Sequence, residues 1–247
     1  MTKKRIVVGI SGASGIPLAV RVLGELNRAE NVETHLVYTR GAELTAEYEG
    51  RSPVQLSDSM ENWQWDSSKP KCTDRQSSVI HTSGSTGILQ ENSSETGCMD
   101  GRDRVPSQSS DSMAAVRALA DVVYENDDLG ASIASGTFET DGMIIVPCSM
   151  KTVAGIACGY TDNLLLRAAD VMLKEQRKLV LAVRETPFSP IHLENMLKLS
   201  RIPGVSILPL MLTYYNHPAT IEDMERHIVG KLLQRFGIEA EGFRRWK

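Results

Sequence analysis

The chain has 247 residues, 41% of them hydrophobic, which is enough to form one substantial core. Its formal net charge is −4 at pH 7, no basic stripe stands out and only 5% of its residues are aromatic, so we expect no nucleic-acid partner. The chain enters a strand almost at once and its four cysteines form no CxxC pair. We therefore expect neither a leader nor a membrane span, and reduced thiols in a cytoplasmic protein.

The first elements alternate between strand and helix. Arg5–Ile10 is a continuous apolar run, typical of a strand buried on both faces of a parallel sheet. Residues 15–28 predict a helix, Val32–Thr39 a second strand and Gly41–Glu49 a short helix. This order is that of a βαβ unit.

The composition then changes over residues 55–112, which are rich in serine and poor in aliphatic side chains. Such a segment buries too little apolar surface to offset its chain entropy, which predicts a disordered, low-complexity insertion. We expect a single domain over residues 1–247 that this insertion interrupts. It is either a tolerated surface loop or a segment that disrupts contacts between copies.

Beyond residue 112 the alternation of strand and helix returns. This pattern predicts an α/β fold with a doubly wound parallel sheet. The predicted elements are a helix over Ala114–Glu125, a strand over Gly142–Ser149 that Pro147 ends, a helix over Thr161–Lys178, a strand over Leu179–Pro187, a helix with Ser189 as its cap and Pro190 first, a strand over Gly204–Leu210, and a helix between Thr220 and Gly237.

Ligands of such sheets bind beyond the carboxyl ends of the strands. A glycine turn, Gly12–Gly15, follows the first strand, and Ser149–Thr152 follows the third at a helix start, so both could offer N–H groups to an anion. Ile10 replaces the first glycine of a GxGxxG motif, and Thr39 and Arg40 end the second strand where a dinucleotide site needs a carboxylate. We therefore favour a mononucleotide phosphate; a tight turn without a ligand, and plain helix capping by Ser149, stay as alternatives.

Charged residues cluster in the second half of the chain. Arg167, Asp170 and Lys174 share one helix face, and Arg184 and Glu185 end the next strand. If they converge, the cations stabilise a leaving phosphate and Glu185 moves the accompanying proton. The alternative is a solvated charged face. Two further residues, Tyr215 and Lys231, could complete the cradle.

Three other reactive side chains invite a catalytic or metal-binding interpretation. We expect His192 and His217 to have capping or surface roles, because no pair of histidines or cysteines has the spacing of metal ligands. Cys148 is either a nucleophile or, more commonly for this residue type, a buried thiol.

Five segments taken in order, VGISGASG, ETHLV, GMIIVPCSMKT, YTDNLLLRAADVMLKEQRKLVLAVRETP and RRW, resemble the UbiX/Pad-type flavin prenyltransferases. The resemblance covers residues 3–54 and 113–247. It implies a flavodoxin-like Rossmann fold that binds reduced FMN and assembles as a homododecamer, with the active site between subunits. It also implies transfer of a dimethylallyl group from dimethylallyl phosphate to N5 and C6 of the flavin without a metal. The product, prenylated FMN, would serve a UbiD-type decarboxylase in ubiquinone synthesis or aromatic-acid breakdown.

The same resemblance implies a role for each matching residue. Ser14 would position the flavin near N5, and Glu185 would assist proton transfer as phosphate leaves. The implied FMN contacts are Gly12, Ala13, Ser14, Thr39, Ser149, Met150, Lys151, Thr152 and Arg184. The implied catalytic residues are Ser14, Glu49, Arg167, Lys174 and Glu185, and the implied prenyl-phosphate contacts are Arg167, Lys174, Tyr215, Lys231 and Trp246.

Two other functions stay open. A flavin-dependent cysteine decarboxylase of the same fold would need a histidine near the flavin, and neither the GASGIPLAV nor the CSMKT segment contains one. A non-catalytic FMN carrier would bind flavin yet be unaffected by Lys174→Ala or Glu185→Gln. The sequence specifies neither the decarboxylase served nor a preference between the monophosphate and pyrophosphate donors.

Overall fold

The computed structural model describes residues 3–50 and 113–245, whose strands form one parallel sheet. The insertion predicted at 55–112 lies outside these ranges, as does Trp246. The strands are β1 (Lys4–Ile10), β2 (Val32–Tyr38), β3 (Val122–Tyr124), β4 (Gly142–Cys148), β5 (Lys178–Val183) and β6 (Val205–Ile207). Their order across the sheet is β3-β2-β1-β4-β5-β6, with every neighbouring pair parallel. The direction of strand addition reverses between β1 and β4, which confirms the doubly wound fold.

Helices cover both faces of this sheet. The two predicted caps are confirmed, because the Ser189 hydroxyl accepts the His192 N–H and the Thr220 hydroxyl accepts the Asp223 N–H. The helices are α1 (Ile16–Arg28), α2 (Arg40–Gly50), α3 (Ala114–Arg117), α4 (Met150–Cys158), α5 (Leu164–Lys174), α6 (Pro190–Ser200) and α7 (Ile221–Gln234).

The core has two halves, one on each side of the sheet. Alternate residues of β1 point to opposite sides, so Ile6, Val8 and Ile10 pack towards α1 and α7 while Val7 packs towards α4 and α5. All four side chains are fully buried. We call these sides the α1–α7 face and the α4–α5 face. Burial on both explains why β1 is a continuous apolar run.

The helix predicted over Ala114–Glu125 is wrong in its second half. Helix α3 ends at Arg117, and the edge strand β3 follows and pairs with β2. Asp121 fixes the start of this strand, because its carboxylate accepts the Thr34 N–H at 2.7 Å and the Thr34 hydroxyl at 2.9 Å. Pairing with β2 thus overrides the helical periodicity of a sequence that includes two adjacent valines.

Two other predicted elements have shifted boundaries. The helix predicted over Thr161–Lys178 starts only after Asn163, whose side chain accepts the Leu166 N–H, and the left-handed conformation of Gln176 follows its end. Strand β4 continues through Pro147, with a shift in its register against β5 before the final residue. The first predicted strand is confirmed and begins one residue earlier, at Lys4, and the remaining predicted strands are confirmed with shorter bounds.

Candidate active site

The turns that follow β1 and β4 meet at the switch point of the sheet, where Ser11 joins them. Its hydroxyl donates to the Pro147 carbonyl at 2.9 Å and accepts the Ser149 N–H at 2.8 Å, and its own N–H donates to Pro147 at 3.2 Å. Ser11 is only 1% exposed. The two predicted flavin turns are therefore held together by a residue that the sequence analysis did not single out. Its one sequence signal is a hydroxyl immediately after a buried strand.

The first turn also packs closely against the start of α2. A Cβ atom at Gly12 would lie 2.9 Å from two backbone atoms of Gly41, so no larger residue fits without moving the chain. Gly12 and Ser14 are exposed, whereas Ala13 is buried between them. Thr39 follows β2 beside this turn, and its hydroxyl accepts the Ala42 N–H as the cap of α2. Exposed backbone from the turn thus lies where a flat cofactor could approach closely, which fits a flavin.

Glu49 lies at the end of α2 and binds the start of α1. Its two carboxylate oxygens accept the N–H groups of Gly15 and Ile16, each at 2.9 Å. These N–H groups have no partner within α1, and a negative charge is favourable at a helix N-terminus. Glu49 therefore occupies this helix end, where the sequence predicts an anion-binding turn, and it links α2 to the glycine turn.

The second predicted flavin turn, after β4, has its hydroxyls engaged in a helix cap. The Ser149 hydroxyl accepts the Thr152 N–H and lies 3.1 Å from the Thr152 hydroxyl. Met150 and Thr152 are each 6% exposed, whereas Lys151 is exposed. The capping alternative for Ser149 is therefore realised in the structure.

Arg184 and Glu185 lie at the same edge of the sheet as these turns. The Arg184 N–H donates to the Cys148 carbonyl at 3.1 Å, which joins the ends of β5 and β4. Both side chains are exposed, and the Glu185 carboxylate accepts the Thr186 N–H at 3.0 Å. Cys148 is fully buried, and this burial raises the pKa of its thiol far above its usual range, which favours the buried-thiol alternative over a nucleophile.

Tyr215 and Lys231 share one pocket. It has a volume of about 570 Å³ and lies between the β6 edge of the sheet and α7. Both side chains are exposed, and the Tyr215 hydroxyl lies 3.2 Å from Nε2 of His227. Arg235 lines the same pocket. The structure thus brings together two residues that are 16 positions apart and were matched to the prenyl phosphate.

Arg167 and Lys174 lie on α5, on the opposite side of the sheet from α7. The Arg167 guanidinium donates to the Ala134 carbonyl at 3.2 Å and to the Asp170 carboxylate at 2.8 Å, and Lys174 pairs with Glu175. The predicted shared helix face is therefore confirmed. This ion pairing lowers the pKa of the Glu175 carboxyl.

Strand β5 separates Lys174 from the predicted flavin turns. Lys174 precedes the strand, which begins at Lys178, whereas Arg184 follows its last residue. A strand of this length spans about 20 Å. A single chain therefore does not bring Lys174 to the edge that carries Arg184.

Two further sequence expectations concern the described residues. The His192 ring accepts the Ser189 N–H, so it caps α6 as predicted. Within residues 3–50 and 113–245, no helix combines the length and apolar character needed to cross a bilayer.

The parallel sheet and the joined turns at its switch point define a nucleotide-binding α/β protein, and the chain matches the family described as Flavoprotein over residues 1–236. Similar proteins define the class of this α/β protein more closely. The flavin prenyltransferase LpdB of Lactiplantibacillus plantarum is 41% identical over 244 residues, which are 99% of this chain and 98% of that protein. The chain belongs to the UbiX-like flavin prenyltransferase family.

Two solved structures share both fold and sequence with this chain. A dodecameric FMN-dependent UbiX-like decarboxylase from Escherichia coli O157:H7 has a TM-score of 0.71 at 39% identity, over 99% of this chain and 100% of that one. AnUbiX, in complex with FMN and dimethylallyl pyrophosphate, has a TM-score of 0.71 at 38% identity, over 99% of this chain and 98% of that one.

Proposed function

We propose that this protein is a flavin prenyltransferase that joins the dimethylallyl group of dimethylallyl phosphate to reduced FMN. The observation that carries the proposal is the meeting of three flavin-matched segments, Gly12–Ser14, Ser149–Thr152 and Arg184, at one edge of the sheet in a chain of this family. Reduced FMN would supply the nucleophilic N5 and C6 atoms. The protein would supply binding, orientation and charge.

The flavin half of the site would be made from backbone and small side chains. Gly12, Ala13 and Ser14 would contact FMN from the first turn, Thr39 from the end of β2 and Arg184 from the end of β5. The close packing of Gly12 on Gly41 supports this arrangement, because it keeps the loop surface low enough for a planar ring to approach. The remaining contacts would come from the second turn: Ser149, Met150, Lys151 and Thr152.

The phosphate half would be made from cations and one phenol. Lys231 and the Tyr215 hydroxyl line one pocket and would bind the phosphate ester there. Positive charge stabilises the charge that develops on phosphate as its bond to the prenyl group breaks. Glu185, exposed at the adjacent edge, would move the accompanying proton. Glu49 would act indirectly, by fixing the glycine turn through α1.

We further propose that Arg167 and Lys174 act in the site of a neighbouring copy. Their place on the α4–α5 face supports this, since one chain leaves them remote from Tyr215 and Lys231. Exposed apolar side chains support assembly: Ile191, Leu193 and Leu197 on α6, and Met211, Leu212 and Tyr214 beside the Tyr215 pocket, are all more than half exposed. The dodecameric relative makes a homododecamer the proposed assembly.

The proposed product also implies a partner. Prenylated FMN would pass to a UbiD-type decarboxylase, and we propose that both proteins act in the cytoplasm.

An anaerobic turnover experiment tests the function. The protein is loaded with reduced FMN and given dimethylallyl monophosphate, with dimethylallyl pyrophosphate in a parallel arm. We expect mass spectrometry to detect FMN heavier by one dimethylallyl group, and Glu185→Gln to slow its formation. Bound FMN without any such product in either arm would contradict the proposal and fit a flavin carrier.

A further inference from the structure

The pocket of Tyr215 and Lys231 is also lined by His227, which has no role in the proposed function. It lies on α7 one turn before Lys231, and residues four apart share a helix face. His227 is 6% exposed, whereas Tyr215 is 49% exposed. The pocket therefore presents a half-exposed phenol and an exposed lysine beside a buried imidazole.

His227 anchors the segment that carries Tyr215. Its Nε2 atom lies 3.2 Å from the phenol hydroxyl, and the two rings meet edge to face with their centroids 5.7 Å apart. The backbone hydrogen bonds of this segment are local, such as that from the His217 N–H to the Tyr214 carbonyl. The contact with His227 therefore ties the phenol to helix α7 as well as to its own loop.

The imidazole ring of His227 also packs against a neighbouring aromatic ring. The ring of Phe243 lies 5.4 Å from that of His227 and packs on Gly230, where a Cβ atom would overlap it. Burial, together with the nearby charge of Lys231, lowers the pKa of His227. This shift favours the neutral ring, which can bind the phenol without adding a charge beside the lysine.

We propose that His227 is a positioning residue for the prenyl-phosphate site, holding the Tyr215 hydroxyl where it meets the phosphate ester together with Lys231. The inference rests on the proposed function and goes beyond it, because His227 acts through Tyr215 and does not touch the phosphate.

Steady-state kinetics test the role in the enzyme loaded with reduced FMN. His227→Phe keeps a ring between Tyr215 and Phe243 but removes Nε2, so we expect KM for dimethylallyl monophosphate to rise about tenfold while kcat changes less. His227→Gln can place an amide near the lost nitrogen and should restore most of the affinity. The double variant Tyr215→Phe/His227→Phe should be no worse than Tyr215→Phe alone, and fully additive losses would overturn the proposal.

A second measurement separates this role from the proposed function. The protein is labelled with 13C-tyrosine, loaded with oxidised FMN and observed by NMR. The Tyr215 signal is identified as the one that is absent from the spectrum of Tyr215→Phe. We expect inorganic phosphate to shift it, and His227→Phe to need about tenfold more phosphate for the same shift. Identical titrations would overturn the positioning role. If His227→Phe weakens the phosphate-induced shift as expected but the wild-type protein makes no prenylated flavin, only the proposed function is contradicted.

Discussion

The two halves of the proposed site are built in different ways. The switch-point turns are joined within one chain by Ser11 and by the contact between Gly12 and Gly41. The matched cations lie apart, with Lys174 on the α4–α5 face and Lys231 on the α1–α7 face. In the proposed site, the first half would be complete when one chain folds, whereas the second half would need a neighbouring copy.

This difference has a physical basis. A flavin needs a narrow, closely packed edge, which the carboxyl ends of adjacent parallel strands provide. A phosphate needs several positive charges, and placing them together in one small chain costs stability through their mutual repulsion. Arg167 and Lys174 lie on another face and each is paired with a carboxylate, so the proposed assembly would bring the charges together only when copies meet.

The largest expected effect is a loss of activity without a loss of FMN binding, which would separate the phosphate half of the site from the flavin half. Lys174→Ala or Lys231→Ala should each lower kcat/KM about 100-fold, because each removes a charge that stabilises the leaving phosphate. FMN affinity, measured by fluorescence titration, should stay unchanged in both. The control is Lys178→Ala, an exposed lysine at the start of β5. A lysine variant that loses FMN as well would show that the two halves are not separate.

The next effect concerns the flavin half alone. Gly12→Ala places a methyl group 2.9 Å from the Gly41 backbone. Overpacking of this kind costs about 1–3 kcal/mol, so we expect FMN binding to weaken at least tenfold and the melting temperature to fall. Gly24→Ala on α1 is the matched control, since nothing lies within 4 Å of its new methyl group. Equal FMN affinity in the two variants would refute the packing argument.

A smaller effect is expected at Ser11. Ser11→Ala leaves the Ser149 N–H without its acceptor and removes one donor to Pro147, which costs about 1–2 kcal/mol and should weaken FMN binding about tenfold. Ser200→Ala, which removes an exposed hydroxyl bonded to the Leu197 carbonyl, should leave the affinity unchanged. The account of the joined turns fails if calorimetry finds the same FMN affinity for both variants.

The smallest expected effect is a dependence of the protein's stability on pH, which arises on the α4–α5 face. His35 bonds the Tyr124 hydroxyl, which bonds Ser132 in the 3-10 turn that also supplies a carbonyl to Arg167. Burial lowers the pKa of His35 despite the nearby carboxylate of Glu33. The unfolded chain therefore takes up a proton first, and stability present above about pH 6.5 is lost as the pH falls through the folded-state pKa.

Urea unfolding from pH 7.5 to 5.0 measures this loss. We expect His35→Gln to flatten the dependence without removing it, because His227 also has a lowered pKa from burial. An unchanged slope in His35→Gln would show that the proton uptake lies elsewhere.

Local signals made much of the fold predictable. The apolar run of β1 reflects burial on both faces, and the caps Ser189 and Thr220 act within three residues of themselves. Strand β3 was missed because it exists only through pairing with β2, from which it is separated by more than 80 residues. No local pattern reports such a contact.

The site was predictable to the extent that its residues share an element or follow a strand. Spacing alone places Arg167 and Lys174 on one helix face. Residue spacing does not show which end of α5 lies at which edge of the sheet. That placement is what separates Lys174 from Arg184. The roles of Ser11 and His227 depend on Pro147 and Tyr215, which lie far along the chain.

Mixed assemblies test the divided site most directly. Differently tagged Lys174→Ala and Lys231→Ala chains are coexpressed, and complexes that carry both tags are isolated and assayed. If the two lysines of a site come from different copies, about a quarter of the sites contain both, and activity should reach roughly a quarter of wild type, far above either parent. Mixed complexes no more active than the mean of the two parents would contradict the account.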